Sequence, residues 1–398
     1  MRDLVTEVSW NYEINQCFRP LKPESLEPDN TYPVHGAVPS PRSLFPVDLW
    51  LKVTHAAATY HYRYNRYEHA LMCVSTEHHA QAATHIEVIL GADLADIELM
   101  YGDYSPLLTA LEAGHLYYQL LLVTQALGWQ SGSLTLTQAD DLANLSGDKA
   151  LLSFATFTLN TAQDDDLALW LLSHNAPATA VKPVAGGQPF TWLQTYRASL
   201  ANASQSQRDQ LNVCLQGVCG KAAGPDWSLT ALAARRTSGF DRYGAISLPE
   251  QVPASDIASL LNTFALQANH TLSQARQLGH IDVFVSVVSC KGDARGVWKL
   301  SAGAQQFTRI SGHSVHHALQ QASTTPVQVY HYGDFAFTVQ YAVNYGAGLG
   351  DHGEYAVPLA HLSIGALAQL MCLKNRKEKI CLKLDYQWVV QKKDQSIK

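Results

Sequence analysis

The sequence predicts an α+β fold built from two tandem copies of one strand, hairpin and helix unit, and three observations carry that expectation. Strand-like alternation and helix-period apolar runs alternate along both halves of the 398 residues. The run "VDLWLKV" (47 to 53) is answered by "HIDVFVSVVS" (280 to 289), and "TYHYRYNRYEHALMCV" by "GVWKLSAGAQQFTRI" (296 to 310). Finally, "MYGDYSPLLTALEAGHLYYQLLLV" (100 to 123) is answered by "NYGAGLGDHGEYAVPLAHLSIGALAQLMCL" (344 to 373), each a Tyr-Gly followed by an apolar helix containing a glycine, Gly114 or Gly365. The expected organisation is a first domain over 1–200, a linker over 201–228 and a second domain over 229–398.

In chain order, residues 20–42 hold six of the sixteen prolines and read as an extended arm. Val47, Leu49, Leu51 and Val53 then alternate against Asp48, Trp50 and Lys52, which predicts a half-buried strand. Tyr60, Tyr62 and Tyr64 continue at period two, turn near Asn65 and resume at Leu71 and Cys73, as a hairpin does. Residues 107–128 switch to helical period and stop at Gly128-Trp129. Residues 138–160 give a short helix and an apolar run. Residues 195–228 are Ala/Ser/Gln/Gly-rich and weakly patterned, which places the junction there. Beyond it, Pro253 and Ser255 open a helix whose Ile257, Leu260, Leu261 and Phe264 form one core-facing stripe.

Composition bounds the function. An apolar content of 47% supports a buried core, and a formal net charge of −6 excludes a field built to attract nucleic acid or anionic membrane. The last 25 residues, from Lys374, are basic against an acidic remainder. Seven scattered cysteines do not form a disulfide framework, and reduced thiols in the cytoplasm are the simpler expectation. The first sixteen residues lack the apolar stretch of a signal peptide. Glu112, His115, Gln119 and Gln125 interrupt the most hydrophobic run, which favours a buried helix over a membrane span.

Four segments could carry chemistry. "RRTS" places Arg235, Arg236, Thr237 and Ser238 at the end of an apolar stretch. Two guanidinium forks and a hydroxyl suit a phosphate, although an arginine pair is also the ordinary end of a solvated helix. "AVPSPRSLF" stiffens a turn at Pro39, Ser40 and Pro41 ahead of the strand, a ledge for a planar ligand or simply a rigid loop. Glu112 and His115 share a helix face, as a satisfied core pair or as an acid and base. The histidines of "STEHHAQAATH" and "SGHSVHH" lack companion ligands at a metal-binding spacing, so no metal is expected.

Taken in order, "PSPRSLFPVDLWLKV", "TYHYRYNRYEHALMCV", "LEAGHLYYQLLLVTQALGW" and "AARRTSGFD" resemble the SagB-type dehydrogenases, azoline oxidases of the nitroreductase-like FMN-dependent superfamily. The resemblance covers about two thirds of the chain. It implies two tandem nitroreductase-like domains forming an internal pseudo-dimer with one FMN site. It further implies that Arg235, Arg236 and Ser238 hold the FMN phosphate, while Pro39, Ser40, Arg42 and Ser43 flank the ring. Tyr101 and His115 are the residues it offers for proton transfer; the family's lysine beside that tyrosine is replaced by Met100. The implied activity is oxidation of azolines to azoles in a ribosomally synthesised precursor peptide, with a cyclodehydratase complex as partner and room for a homo-oligomer. A redox-inactive, peptide-binding scaffold and a general FMN-dependent nitro or quinone reductase are the alternatives.

Overall fold

The computed structural model describes residues 38–41, 44–65, 70–80, 83–132, 134–136, 142, 145, 151–160, 168, 252–271, 276, 280–322 and 336–375. The chain divides into two compact units. The first gathers Met1–Arg235, Leu266–Ile281 and Val343–Met371; the second gathers Arg236–Ala265, Asp282–Ala342 and Cys372–Lys398. The segment expected to be a linker, 201–228, lies outside the described residues.

The first unit is built on a seven-stranded sheet of β1 (Val47–His55), β2 (Ala58–Asn65), β3 (Ala70–His78), β4 (His85–Asp93), β5 (Gln130–Ser131), β6 (Thr135–Leu136) and β7 (Leu151–Asn160). The order is β3-β2-β1-β4-β7-β5, with β6 also on β7, and every pairing is antiparallel. Alternation of apolar residues predicts β1 and the β2–β3 hairpin at these positions. It also predicts that one face of β1 is wet, and there the structure differs. Asp48 and Trp50 are buried as fully as Leu49 and Leu51. Asp48 is satisfied by the Arg63 guanidinium, which also lies 5.7 Å above the Trp50 ring. Trp50 packs on Ile89, Leu142 and Leu151. A central strand covered on both faces tolerates a carboxylate only because its cation comes from the neighbouring strand.

A short helix and a long one follow the sheet's fourth strand. After β4 come α1 (Ala95–Tyr101), a 3₁₀ turn (Gly102–Tyr104) and α2 (Ser105–Ala126). From Ser105 to Thr124, α2 is buried at every position except half-buried Leu107, so it has no polar face. No helix among the described residues is long and apolar enough to cross a membrane.

The second unit carries α3 (Ala254–Thr271) through Ala265, with Ile257, Leu260, Leu261 and Phe264 buried as their spacing predicts. Its four-stranded sheet runs β12-β11-β9-β13, from β9 (Ile281–Val287), β11 (Gly296–Leu300), β12 (Thr308–Ser311) and β13 (Phe337–Val343). The short strands β8 (Val252–Pro253) and β10 (Cys290–Lys291) pair in parallel, and α4 (His316–Ala322) follows β12.

After β13 the chain repeats the element order that follows β4: α5 (Tyr345–His352), a 3₁₀ turn (Gly353–Tyr355) and α6 (Ala356–Asn375). A single shift of 251 positions carries Gly102 onto Gly353, Ser105 onto Ala356 and Gly114 onto Gly365. The two turn glycines share a backbone conformation, φ 52 and ψ −131 against φ 61 and ψ −146. The counterpart of Tyr101-Gly102 is therefore His352-Gly353, and not the Tyr345-Gly346 that the letters suggest. Tyr345-Gly346 begins α5, whereas Gly102 ends α1.

Gly114 and Gly365 each face the backbone of the other's helix. A Cβ on Gly114 would lie 1.9 Å from the Leu362 carbonyl oxygen, and one on Gly365 would lie 2.0 Å from that of Leu111. Helices α2 and α6 thus cross backbone to backbone, which requires both residues to lack a side chain.

Candidate functional site

The expected ring-flanking turn lies directly ahead of β1. Val38, Pro39 and Pro41 are buried and Ser40 is half-buried. The Phe45 amide donates to Ser40 Oγ at 2.8 Å, and Leu44 N donates to the Pro41 carbonyl at 3.0 Å. The turn is thereby closed on itself, with the Ser40 O–H left as its hydroxyl donor. Phe45 has φ 50, a left-handed conformation that a side chain adopts at a cost of about 1 kcal/mol. Strain at the entry to β1 fixes where the strand starts. Glu112 secures the same point from α2, since its Oε1 accepts from the Val47 amide at 3.4 Å.

Glu112 and His115 therefore serve different neighbours, although their spacing puts them on one helix face. His115 has no exposed surface, and its Nδ1 lies 2.9 Å from Gln369 Oε1 on α6. Gln369 Nε2 in turn donates to Gln119 Oε1 at 2.9 Å. An amide oxygen can only accept, so His115 donates from Nδ1. His115, Gln119 and Gln369 form a buried polar layer one turn beyond the glycine crossing. That layer explains the polarity of His115 by its place between helices. In the sequence Gln119 reads only as an interruption of the apolar run, and Gln369 gives no signal because it lies 254 positions from the histidine it serves.

Tyr101 is the last residue of α1 and is half-buried, beside Met100, which is 47% exposed. The corresponding end of α5 carries Asp351 and His352. Further along, the Tyr345 ring stacks on His361 with centroids 6.3 Å apart, and Tyr345 Oη lies 3.5 Å from His361 Nε2. His361 Nδ1 donates to the Val357 carbonyl at 2.7 Å. Burial pushes the Tyr345 phenol up to about 12 and the His361 imidazole down to about 4, the latter against the pull of that backbone bond. At neutral pH both are uncharged.

Arg235, Arg236 and Ser238, which the resemblance assigns to the phosphate, lie outside the described residues, as do Arg42 and Ser43. As a donor set, guanidinium forks and hydroxyls suit the charge and shape of an FMN phosphate. On the ring side, Ser40 and a stiff proline turn offer a flat edge with one donor. The residues present fit the group in chemistry. A separate cavity of about 480 Å³ in the second unit is lined by Ile257, Leu261, Asn262, Trp298 and Phe307 among others, and none of the expected site residues that are described borders it.

The fold has a counterpart among solved structures. A protein from Anabaena variabilis ATCC 29413, described as a candidate nitroreductase, superimposes with a TM-score of 0.59 over 87% of this chain and 75% of its own, at 16% identity. The fold is nitroreductase-like. A second protein of the same description, from Ralstonia eutropha JMP134, gives a TM-score of 0.30 and 13% identity over 40% of this chain and 71% of its own. No family description and no curated protein matches the sequence. At this identity the likeness is one of fold. The identities of most side chains are free to differ.

Proposed function

We propose that the chain is an FMN-dependent oxidoreductase that oxidises thiazoline or oxazoline rings of a modified precursor peptide to the corresponding azoles. The observation that carries the oxidoreductase reading is the nitroreductase-like fold over 87% of the chain. The peptide substrate rests on the "YHYRYNRYEHAL" and "EAGH" motifs, and a cyclodehydratase that makes the azoline is the partner this chemistry calls for. The recurring helix, 3₁₀ turn and helix after β4 and β13 support an internal duplication with one flavin per chain.

Arg235, Arg236 and Ser238 are assigned to the phosphate, with Arg42 and Ser43 as further donors. Pro39 and Ser40 are assigned to the ring edge, with Glu112 holding the strand behind them. When bound, FMN would supply a two-electron acceptor for the hydride lost by the azoline, with dioxygen as the electron acceptor that regenerates the flavin. Tyr101 is assigned to relaying the departing ring proton through its hydroxyl to solvent, in preference to His115, which is fully buried in the helix interface.

The test is reconstitution of the purified full chain with FMN, desalting and measurement of retained flavin. About one flavin per chain is expected, with loss of retention in the Arg235→Ala/Arg236→Ala variant. A chain that retains no flavin overturns the enzyme reading in favour of a redox-inactive scaffold, which Met100 in place of the family lysine favours. Two flavins per chain overturn the single site. Azole formation from an azoline peptide supports the proposed substrate, whereas turnover of NAD(P)H with a quinone alone marks a general reductase.

A further inference from the structure

Where α5 ends, three metal-ligating side chains from two distant parts of the first unit converge. His280 stands just ahead of β9, and Asp351 and His352 close the last turn of α5. One ligand atom from each lies within 4.8 Å of the others, and His280 Nε2 is 2.9 Å from Asp351 Oδ2. We propose that His280, Asp351 and His352 form a binding site for one divalent first-row transition-metal ion of the zinc, cobalt or nickel type.

The geometry asks for little movement. Ligands held at Zn–N distances near 2.1 Å in a tetrahedron are about 3.4 Å apart, so even a gap at the 4.8 Å limit closes by no more than ~1.4 Å on binding. Asp351 and His352 are partly exposed and adjacent to a turn, which gives that freedom. The backbone of His280 is fixed. Its φ is 47, and its carbonyl accepts from the Asn344 amide at 3.1 Å, tying it to the residue that starts α5. A strained, hydrogen-bonded anchor on one side and a helix end on the other is a pre-organised clamp.

The charge pattern points the same way. The carbonyls at the C-terminus of α5 present partial negative charge, which favours a cation there. Two imidazoles and one carboxylate form a borderline nitrogen and oxygen set that selects zinc-like ions over magnesium or calcium, whose sites are built from oxygen. Three protein ligands leave at least one coordination position for water or a small anion.

The same helix-end positions after β4 hold Met100 and Tyr101, 251 positions earlier, which are not such ligands. The site therefore belongs to the second set of elements alone. Sequence spacing could not reveal it, since His280 lies 71 positions from Asp351.

The experiment is titration of the metal-free full chain with ZnCl₂ by calorimetry, with Co²⁺ absorption and thermal melting as second readouts. Expected are one ion per chain, a melting temperature raised by zinc but not by excess Mg²⁺, and at least tenfold weaker binding in each of His280→Asn and His352→Gln. Asparagine tolerates the left-handed backbone at 280, and His352→Gln changes only a helix end, so circular dichroism should match the parent for both. A chain with His313, His316 and His317 all replaced by Gln should bind zinc as the parent does. Zinc binding that survives both site variants, or that disappears only in the triple variant, overturns the proposal. None of these readouts involves flavin, so the outcome is independent of the function proposed above.

Discussion

Replacing Gly114 by alanine should destabilise the protein, against the general rule for helix interiors. Alanine is favoured over glycine in a helix by ~1 kcal/mol. At Gly114 the new Cβ would stand 1.9 Å from the Leu362 carbonyl oxygen, 2.8 Å from its carbon and 3.0 Å from the Ala366 amide. A carbon and a carbonyl oxygen in comfortable contact are about 3.3 Å apart, so α2 and α6 must separate by more than ~1 Å. A gap of that size forfeits up to half of the dispersion energy of the atoms facing it, and overpacking of this kind costs ~1–3 kcal/mol. The same displacement stretches the 2.9 Å bonds from His115 to Gln369 and from Gln369 to Gln119, in a layer that water does not reach. Leaving one such group unsatisfied adds ~1–3 kcal/mol. The net expectation is a loss of about 3 kcal/mol, read as a shift of the urea midpoint by far-UV circular dichroism at constant slope. Gly365→Ala should cost a similar amount, and the double variant should cost less than the sum, because the helices have already parted. Gly350→Ala on α5, where a Cβ meets nothing within 4 Å, is the control and should stabilise by up to ~1 kcal/mol. A Gly114→Ala protein as stable as its parent, or a strictly additive double variant, would refute the close crossing.

Two further outcomes follow from buried groups in the first unit. His361 is held neutral by burial, with its folded value near 4 below the ordinary 6.5, so the unfolded chain takes up a proton first as pH falls. Stability should therefore decline from about pH 6.5 to pH 4 by up to roughly 3 kcal/mol and level off below, and His361→Leu should flatten that part of a stability against pH profile. An unchanged slope in the variant would show that His361 is not the titrating group. Asp48→Asn leaves Arg63 facing a neutral amide, with Asp93 at 3.5 Å as its remaining carboxylate. A loss of about 2 kcal/mol in chemical denaturation is expected, less than the ~3–5 kcal/mol of a fully orphaned buried charge; a loss below about 0.5 kcal/mol would show that the pair is not a buried one.

Local periodicity carried much of the architecture into view. The β2–β3 hairpin, α2 with its stop at Gly128, the buried stripe of α3, and β9, β11 and β12 all stand where alternation and helical spacing put them, because burial on one face writes directly into the order of residues. What depended on distant partners was not legible. Asp48 and Trp50 read as the wet face of β1 because Arg63 and Leu142, which cover them, belong to other elements. Glu112 and His115 read as one pair, and only the arrival of β1 and α6 on different sides separates their tasks. The match of Tyr101-Gly102 to Tyr345-Gly346 was a match of letters; left-handed glycines at 102 and 353 reveal the backbone equivalence. Of the expected flavin site, the turn at Pro39-Ser40 can be followed in the structure, while the arginines at 235 and 236 lie outside the described residues.

The meeting of α2 with α6 also sets an order of events during synthesis. Helix α2 has no polar side to show to water, and its glycine face is covered only by a helix that leaves the ribosome 251 residues later. At translation rates of ~5–20 residues per second, that interval is roughly 10–50 s. Over that time the nascent chain carries an apolar rod of 22 residues whose partner does not yet exist. Folding of the first unit consequently waits at its central step until α6 has been made, and a chain truncated before Ala356 would be expected to engage chaperones or aggregate, however well its hairpins form.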